Sequence, residues 1–468
     1  MKLTPFFQAK PIASRYWIEG AIVVTQNAKR EIVRRHLLVE DGIFSKISKT
    51  IPPKDKAKRI QAQDWVIVPG LVQAHLHLCQ TLFRNMADDV DLLDWLGKYI
   101  WRFEAVHTAK SMHCSAYLGI AELLASGTTC ILDMGSIRHT EVLFEAAKAT
   151  GIRANIGKCL MDHPERNPSY LCEDTQAALK EATDLIQRFN QTENDRIRAS
   201  LAPRFVLSCT DQLLSEVARL SKHHDAIIHT HTSENTREVA EVRRLTGKEN
   251  IEFLKSLGLT TERSVLAHCV WLSQNEISIL KASGSSVAHC PSSNLKLASG
   301  IAPIPRLLRE KINVALGVDG APCNNRLNGI DEMRLTALIH KPALGPTTLS
   351  AQEALDLATL GGAKALHWQD QIGSIEVGKK ADFFAINMNS IQNFSSLASL
   401  KNPEKLGSEI LSNLVYASTS NQIELTVVDG KEAYRKSSHP HSRAYKDLVE
   451  TSRKEQSQLL LRAHKLKA

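Results

Sequence analysis

Nowhere in this chain do two cysteines stand as a CxxC pair; the nine, at positions 79, 114, 130, 159, 172, 209, 269, 290 and 323, are odd in number and widely spread. That excludes a disulfide framework and fits a reducing compartment. A run of about 18 apolar residues is also missing, which excludes a membrane-spanning helix. The segment Met1 to Trp17 has no apolar stretch followed by a small-residue cleavage site, so the expected location is the cytoplasm. A large excess of one charge sign is missing as well. Lys and Arg number 58 against 50 Asp and Glu, a net +8, and the basic residues are scattered except at Lys54 to Arg59 and in the C-terminal tail. With no basic and aromatic pattern beside it, this charge describes a solvated surface, and no nucleic-acid or membrane partner is expected.

What is present is material for a large core. The 468 residues are 43% hydrophobic and 23% charged, ordinary for a soluble enzyme, and suggest one large domain with a smaller one.

The two ends of the chain share a texture of short β-like runs and turns. Near the start these are Gly20 to Thr25 and His36 to Glu40, with the turn pair Asp41-Gly42 before Ile43. Near the end they are Gly373 to Gly378, Ala381 to Ile386 and Glu424 to Asp429. Between them, apolar runs alternate with helical stretches such as Ala116 to Leu124 and Gln212 to Leu220, the signature of a repeated parallel α/β unit. Eight strands are expected, near Val66–Ala74, Thr128–Leu132, Ile152–Ile156, Ile197–Leu201, Ala226–Thr230, Val265–Ala267, Ser286–Ala288 and Val314–Val318. Eight closes a (β/α)8 barrel. The expected fold is therefore α/β: a TIM-like barrel over residues 68–370, a small β-sandwich built from 1–67 and 371–435, and a charged helical tail over 436–468.

The strongest local signal is Pro69-Gly-Leu-Val-Gln-Ala-His75-Leu-His77. Residues two apart on a strand share a face, so two imidazoles stand together at the strand's C-terminal end, an arrangement suited to a divalent transition metal. His231, His268 and Asp319 fall at the ends of the fifth, sixth and eighth expected strands, the face where barrels of this kind place their sites. His229 shares a face with His231; His231 is nearer the strand end and has Glu234 three residues on, which makes His229 a deeper residue that either supports the site or belongs to the core. Asn294 and the Ser292-Ser293 pair suit either the entrance or a turn.

These pieces, with His231-Thr-Ser-Glu234, Ala267-His-Cys269, His289-Cys-Pro-Ser-Ser-Asn294, Gly317-Val-Asp-Gly-Ala-Pro-Cys-Asn-Asn325 and Gly373 to Asp382, resemble the amidohydrolase superfamily. Within it they are similar to the 5′-deoxyadenosine, methylthioadenosine and S-adenosylhomocysteine deaminases. The resemblance implies one divalent ion, zinc before iron or manganese, held by His75, His77, His231 and Asp319, and a water made nucleophilic there that displaces ammonia from a purine nucleoside. It implies Asp319 as acceptor of the water's proton, Glu234 as shuttle of that proton to the ring and the leaving group, and His268 as the group that orients the attacking oxygen. Binuclear branches add a carboxylated lysine at strand four, where Leu201 to Phe205 offers none, so one metal is expected.

Substrate contacts follow from the same resemblance. Glu104, in Asp91 to Glu104, matches a glutamate that accepts from ribose hydroxyls. Arg204, in Pro203-Arg-Phe205, departs from the methylthioadenosine enzymes and resembles the guanine deaminases, which keeps a guanine-type or s-triazine-type hydrolase as the alternative. Members of the branch are often homo-oligomers, and the expected partner is a small-molecule substrate.

Overall fold

The computed structural model describes residues 3–50, 54–389, 391–393 and 403–466. Its centre is a parallel barrel of eight strands: β1 (Leu71–His77), β2 (Thr128–Ser136), β3 (Arg153–Leu160), β4 (Ile197–Pro203), β5 (Ile228–Thr232), β6 (Ser264–His268), β7 (Ser286–His289) and β8, split into Val314–Leu316 and Asp319–Gly320. The split closes the ring. Val314–Leu316 pairs with β7, whereas Asp319–Gly320 crosses to β1, with Asp319 opposite Leu76 and Gly320 opposite His77. The expected eighth strand, Val314–Val318, thus stops at Leu316 and resumes at Asp319.

Small side chains fill the barrel. Val72, Ala74, Cys130, Leu132, Val265, Ala267, Ala288 and Ala315 form one buried cluster with Trp368 and Ile372. A register irregularity between Gln73 and Leu76 in β1 shifts the strand's phase, so that Val72 and Ala74 below and His75 and His77 above all face inward.

The stretch Val66–Ala74 is two strands instead of the one expected. Trp65–Pro69 pairs antiparallel with Phe383–Asn387 in a second sheet, and β1 starts only at Leu71. Gly70 makes the switch possible, because a Cβ there would lie 1.9 Å from Thr129 Oγ1. This second, mixed sheet runs Lys10–Pro11, Lys431–Arg435, Ile423–Val428, Phe383–Asn387, Trp65–Pro69, Arg15–Val24, Ile32–Glu40, Ile43–Ser48, with Lys58–Gln61 beside Arg15–Val24. It curls around its own core of Tyr16, Ile18, Val23, Leu37, Phe44, Phe383 and Leu425. Asp41 and Gly42 both have positive φ, 47° and 81°, the turn that joins its hairpin. Gly373 to Gly378, expected to be β-like, forms no strand; main-chain bonds from Ile375 N to Thr25 O at 2.7 Å and from Gly378 N to Phe44 O at 2.9 Å tie it down.

A buried ion pair joins the two sheets. Arg153 of β3 donates Nε to Asp382 Oδ2 at 2.8 Å and Nη2 to Asp382 Oδ1 at 3.0 Å. The C-terminal helix begins at Arg443 and runs to Lys465; residues 467–468 of the expected tail lie outside the described residues. Its Gln456 donates to Leu82 O at 2.7 Å and its Arg462 to Val106 O at 2.9 Å, so it braces the segment that follows β1. All nine cysteines are free thiols, and among the described residues no helix is long and apolar enough to cross a membrane.

Candidate metal centre and active site

Residues far apart in sequence converge where β1, β5, β6 and β8 end. His75 Nε2 lies 3.2 Å from Asp319 Oδ1, His77 Nε2 lies 3.5 Å from the same oxygen, and His77 Nε2 is 3.1 Å from His231 Nε2. His268 Nε2 stands 4.0 Å from Asp319 Oδ2 and 3.4 Å from Glu234 Oε2. Two overlapping sets, His75 with His231 and His268 and His75 with His77 and Asp319, each keep their donor atoms within 4.8 Å of one another.

The neighbours of these imidazoles dictate which nitrogen is free. His231 Nδ1 is 2.6 Å from the main-chain oxygen of Arg204, which can only accept, so Nδ1 carries the proton and the lone pair of Nε2 faces His77. His75 Nδ1 is 2.8 Å from His229 Nε2, which leaves His75 Nε2, buried and without an aligned hydrogen bond, for the site. Burial, reinforced by the other imidazoles, pushes the pKa values of His77, His229 and His231 well below the usual range, and burial lowers His75 too. Neutral imidazoles bearing inward lone pairs beside a carboxylate suit a divalent cation. Burial alone would raise Asp319, but His75, His268 and His77 outweigh it and hold the carboxylate well below its ordinary pKa.

Glu234 and His268 form an acid–base pair beside that set. Burial pushes Glu234 up to about 7, His268 draws it back, and Ser299 Oγ donates to its Oε1 at 3.3 Å. For His268 burial acts downward, yet the carboxylates of Glu234 and Asp319 raise it overall. His268 Nδ1 meets Asn294 Oδ1 at 2.8 Å. Asn294, open between an entrance and a turn role from sequence, is thus a buried residue of helix Pro291–Lys296 that orients His268. Both His268 (φ 72°) and Asp319 (φ 57°) occupy the left-handed region, a strain of about 1–3 kcal/mol each that the surrounding barrel sustains.

The two expected substrate contacts meet each other. Arg204 donates Nη1 to Glu104 Oε2 at 2.5 Å and Nη2 to Glu104 Oε1 at 3.2 Å, and Gln80 Nε2 donates to the same Oε1 at 2.8 Å. Arg204 lies in the cavity wall with Gln80, Leu92, Trp95, Leu96, Phe205 and Leu297. The cavity holds about 30 Å³, room for water alone. Sequence reasoning passed over Gln80, Trp95 and Ser299, whose positions no periodicity marks. It also passed over Asp133, whose Oδ1 accepts from Leu78 N at 2.8 Å and so anchors the turn after His77.

Fold and site together define a (β/α)8 enzyme barrel whose C-terminal mouth can bind a divalent metal ion. The chain belongs to the amidohydrolase family, which matches it over residues 66–433. It is 35% identical over 431 residues to a 5-methylthioadenosine/S-adenosylhomocysteine deaminase of Nitratidesulfovibrio vulgaris, covering 89% of this chain and 92% of that one. It is 36% identical over 401 residues to a 5′-deoxyadenosine deaminase of Methanothermobacter thermautotrophicus, covering 86% and 89%. The crystal structure of an adenosine deaminase from Xanthomonas campestris with bound zinc superposes with a TM-score of 0.85 at 30% identity, covering 95% of this chain and 98% of that one.

Proposed function

We propose that this hydrolase deaminates an adenosine-like purine nucleoside, namely 5′-deoxyadenosine, methylthioadenosine or S-adenosylhomocysteine, with release of ammonia. The observation that carries the reading is the convergence of His75, His77, His231 and Asp319 beside a buried carboxyl, Glu234, raised to about 7. The names of the two relatives, matched over most of both chains, support the substrate class.

In this reading His75, His77, His231 and Asp319 hold one ion, zinc first, since the solved relative has zinc bound. Bound there, the ion supplies Lewis acidity and makes water nucleophilic near neutral pH. Asp319 takes a proton from the attacking water. Glu234, protonated at the start, gives its proton to the ring nitrogen next to the reacting carbon, takes the proton of the added hydroxyl and hands it to the departing amino group, and is reset by the proton held on Asp319. The carbon gains oxygen, loses nitrogen and becomes a carbonyl, and the two protons of water end on the ring nitrogen and on ammonia. His268, fixed by Asn294, steadies the oxygen as it adds. Leu92, Trp95, Leu96 and Phe205 supply an apolar wall for a flat heterocycle.

The test is ammonia release by zinc-loaded protein from 5′-deoxyadenosine, methylthioadenosine, S-adenosylhomocysteine, adenosine, guanine and melamine. Turnover of the nucleosides is expected. Turnover confined to guanine or melamine would replace this reading with the other aminohydrolase chemistry.

A further inference from the structure

Glu104 lies in Trp101–Ala105, the last piece of a segment whose winding changes twice, from α over Leu92–Trp95 to π over Leu96–Ile100 and back to α. Short, irregular helical pieces have little stability of their own and depend on what packs against them. Here the support comes from the far end of the chain. The helix Arg443–Lys465 buries Leu448, Ser452, Glu455, Leu459 and Ala463, whose spacing of three and four keeps them on one face. The family match ends at residue 433, before this helix begins.

Two arginines are exchanged between the helices, one on each side of Glu104. Arg102, two residues before it, donates Nη2 to the main-chain oxygens of Ala463 and Leu466 at 3.2 and 2.8 Å. Arg462 returns the contact, donating Nε to the main-chain oxygen of Val106, two residues after Glu104, at 2.9 Å. Both sets of acceptors lie at a helix C-terminus, where carbonyl oxygens lack helical partners and the dipole favours a cation. The same C-terminal helix reaches the start of the segment, since Gln456 Nε2 donates to Leu82 O at 2.7 Å. It is anchored below by an ion pair of Glu455 with Lys110 at 2.8 Å.

We propose that the C-terminal helix sets the affinity of the nucleoside site by fixing Glu104, with Arg462 and Arg102 as its positioning residues. They hold the backbone on either side of Glu104, and the Glu104 carboxylate in turn takes Arg204 at 2.5 and 3.2 Å and Gln80 Nε2 at 2.8 Å. The inference rests on the deaminase reading, in which Glu104 accepts from ribose hydroxyls. Those hydroxyls lie away from the reacting carbon, so binding lost there is lost equally from ground state and transition state. Such a loss raises KM and leaves kcat in place.

The test is a cycle of variants in the zinc-loaded full chain. Arg462→Met keeps an apolar stem and removes the donor, Arg462→Lys keeps a donor, and both Glu104→Gln and the Arg462→Met/Glu104→Gln double variant complete the set. KM and kcat on the best nucleoside of the wild type are read together with metal content and Tm. Arg462→Met is expected to raise KM about ten-fold, with kcat within about two-fold of wild type and metal content full, and Arg462→Lys to recover most of the loss. Added to Glu104→Gln, Arg462→Met should raise KM by less than about two-fold further, because the group it positions is already altered; a helix serving stability alone would lower Tm and leave the two effects independent. If Arg462→Met does not fold, Arg102→Met, which breaks the other half of the exchange, goes through the same cycle. Wild-type KM in the folded variants, a loss that falls on kcat or metal content instead, or an undiminished rise in the Glu104→Gln background overturns the inference while leaving the deaminase reading intact. A wild type that releases ammonia from no nucleoside removes both.

Discussion

His231 donates its Nδ1 proton to the main-chain oxygen of Arg204 at 2.6 Å, while the guanidinium of that same residue grips Glu104. One residue thus serves the imidazole cluster through its backbone and Glu104 through its side chain. The two services separate under mutation. Arg204→Met should leave the carbonyl bond and the metal content in place but strand Glu104 beside the cavity without its cation, a loss of about 3–5 kcal/mol in unfolding free energy. Adding Glu104→Gln should restore most of it. Urea unfolding of both variants decides the matter, and a double variant no more stable than the single one would refute the coupling.

His229 is the second imidazole behind the site, bonded through Nε2 to His75 Nδ1 at 2.8 Å. Groups in that position orient the ligand and typically contribute 10- to 100-fold to metal affinity. We expect His229→Phe to weaken zinc binding by about that factor, read by competition with a chelator. Wild-type affinity in the variant would make His229 a packing residue only.

Glu234 carries the proton in the proposed reaction. Glu234→Gln should keep one equivalent of divalent metal by elemental analysis and lower kcat by about 10²- to 10⁴-fold. Undiminished turnover would assign proton transfer elsewhere.

Burial pushes Asp133 up to about 7, against bonds from the main-chain N–H groups of Leu78 and Gly135. Between its unfolded value near 3.8 and about 7, the folded chain keeps a proton that the unfolded chain has released. Stability therefore falls as pH rises across that window, by up to about 1.4 kcal/mol per pH unit from this group, and levels off above it. Asp133→Asn keeps the acceptor for Leu78 N–H and should remove this slope. Unfolding free energies from pH 5 to 8 test it, and equal slopes in wild type and variant would count against the shift.

How much of this was legible in the chain varies with the range of the interaction. The barrel was readable because apolar strand runs and helical stretches alternate locally, and each barrel strand carries its own pattern. The split of Val66–Ala74 was not, since Trp65–Pro69 and Leu71–His77 are equally apolar and only the close approach of Thr129 to Gly70 separates them. The break in β8 was hidden for a related reason: Val314 to Val318 reads as one apolar run, and the change of partner strand is a matter of ring closure.

By itself, the sequence determined which side chains could meet: imidazoles two residues apart on a strand, a histidine with a glutamate three residues on, and an aspartate after an apolar run, each a consequence of strand periodicity. Only the tertiary structure decided how they meet. The tautomer of His231, the bonds that pin His268 and Gln80, and the pairing of Glu104 with Arg204 depend on atoms 24 to 100 residues away, and burial, which sets the pKa values of Glu234 and Asp133, exists only once the chain has closed around them.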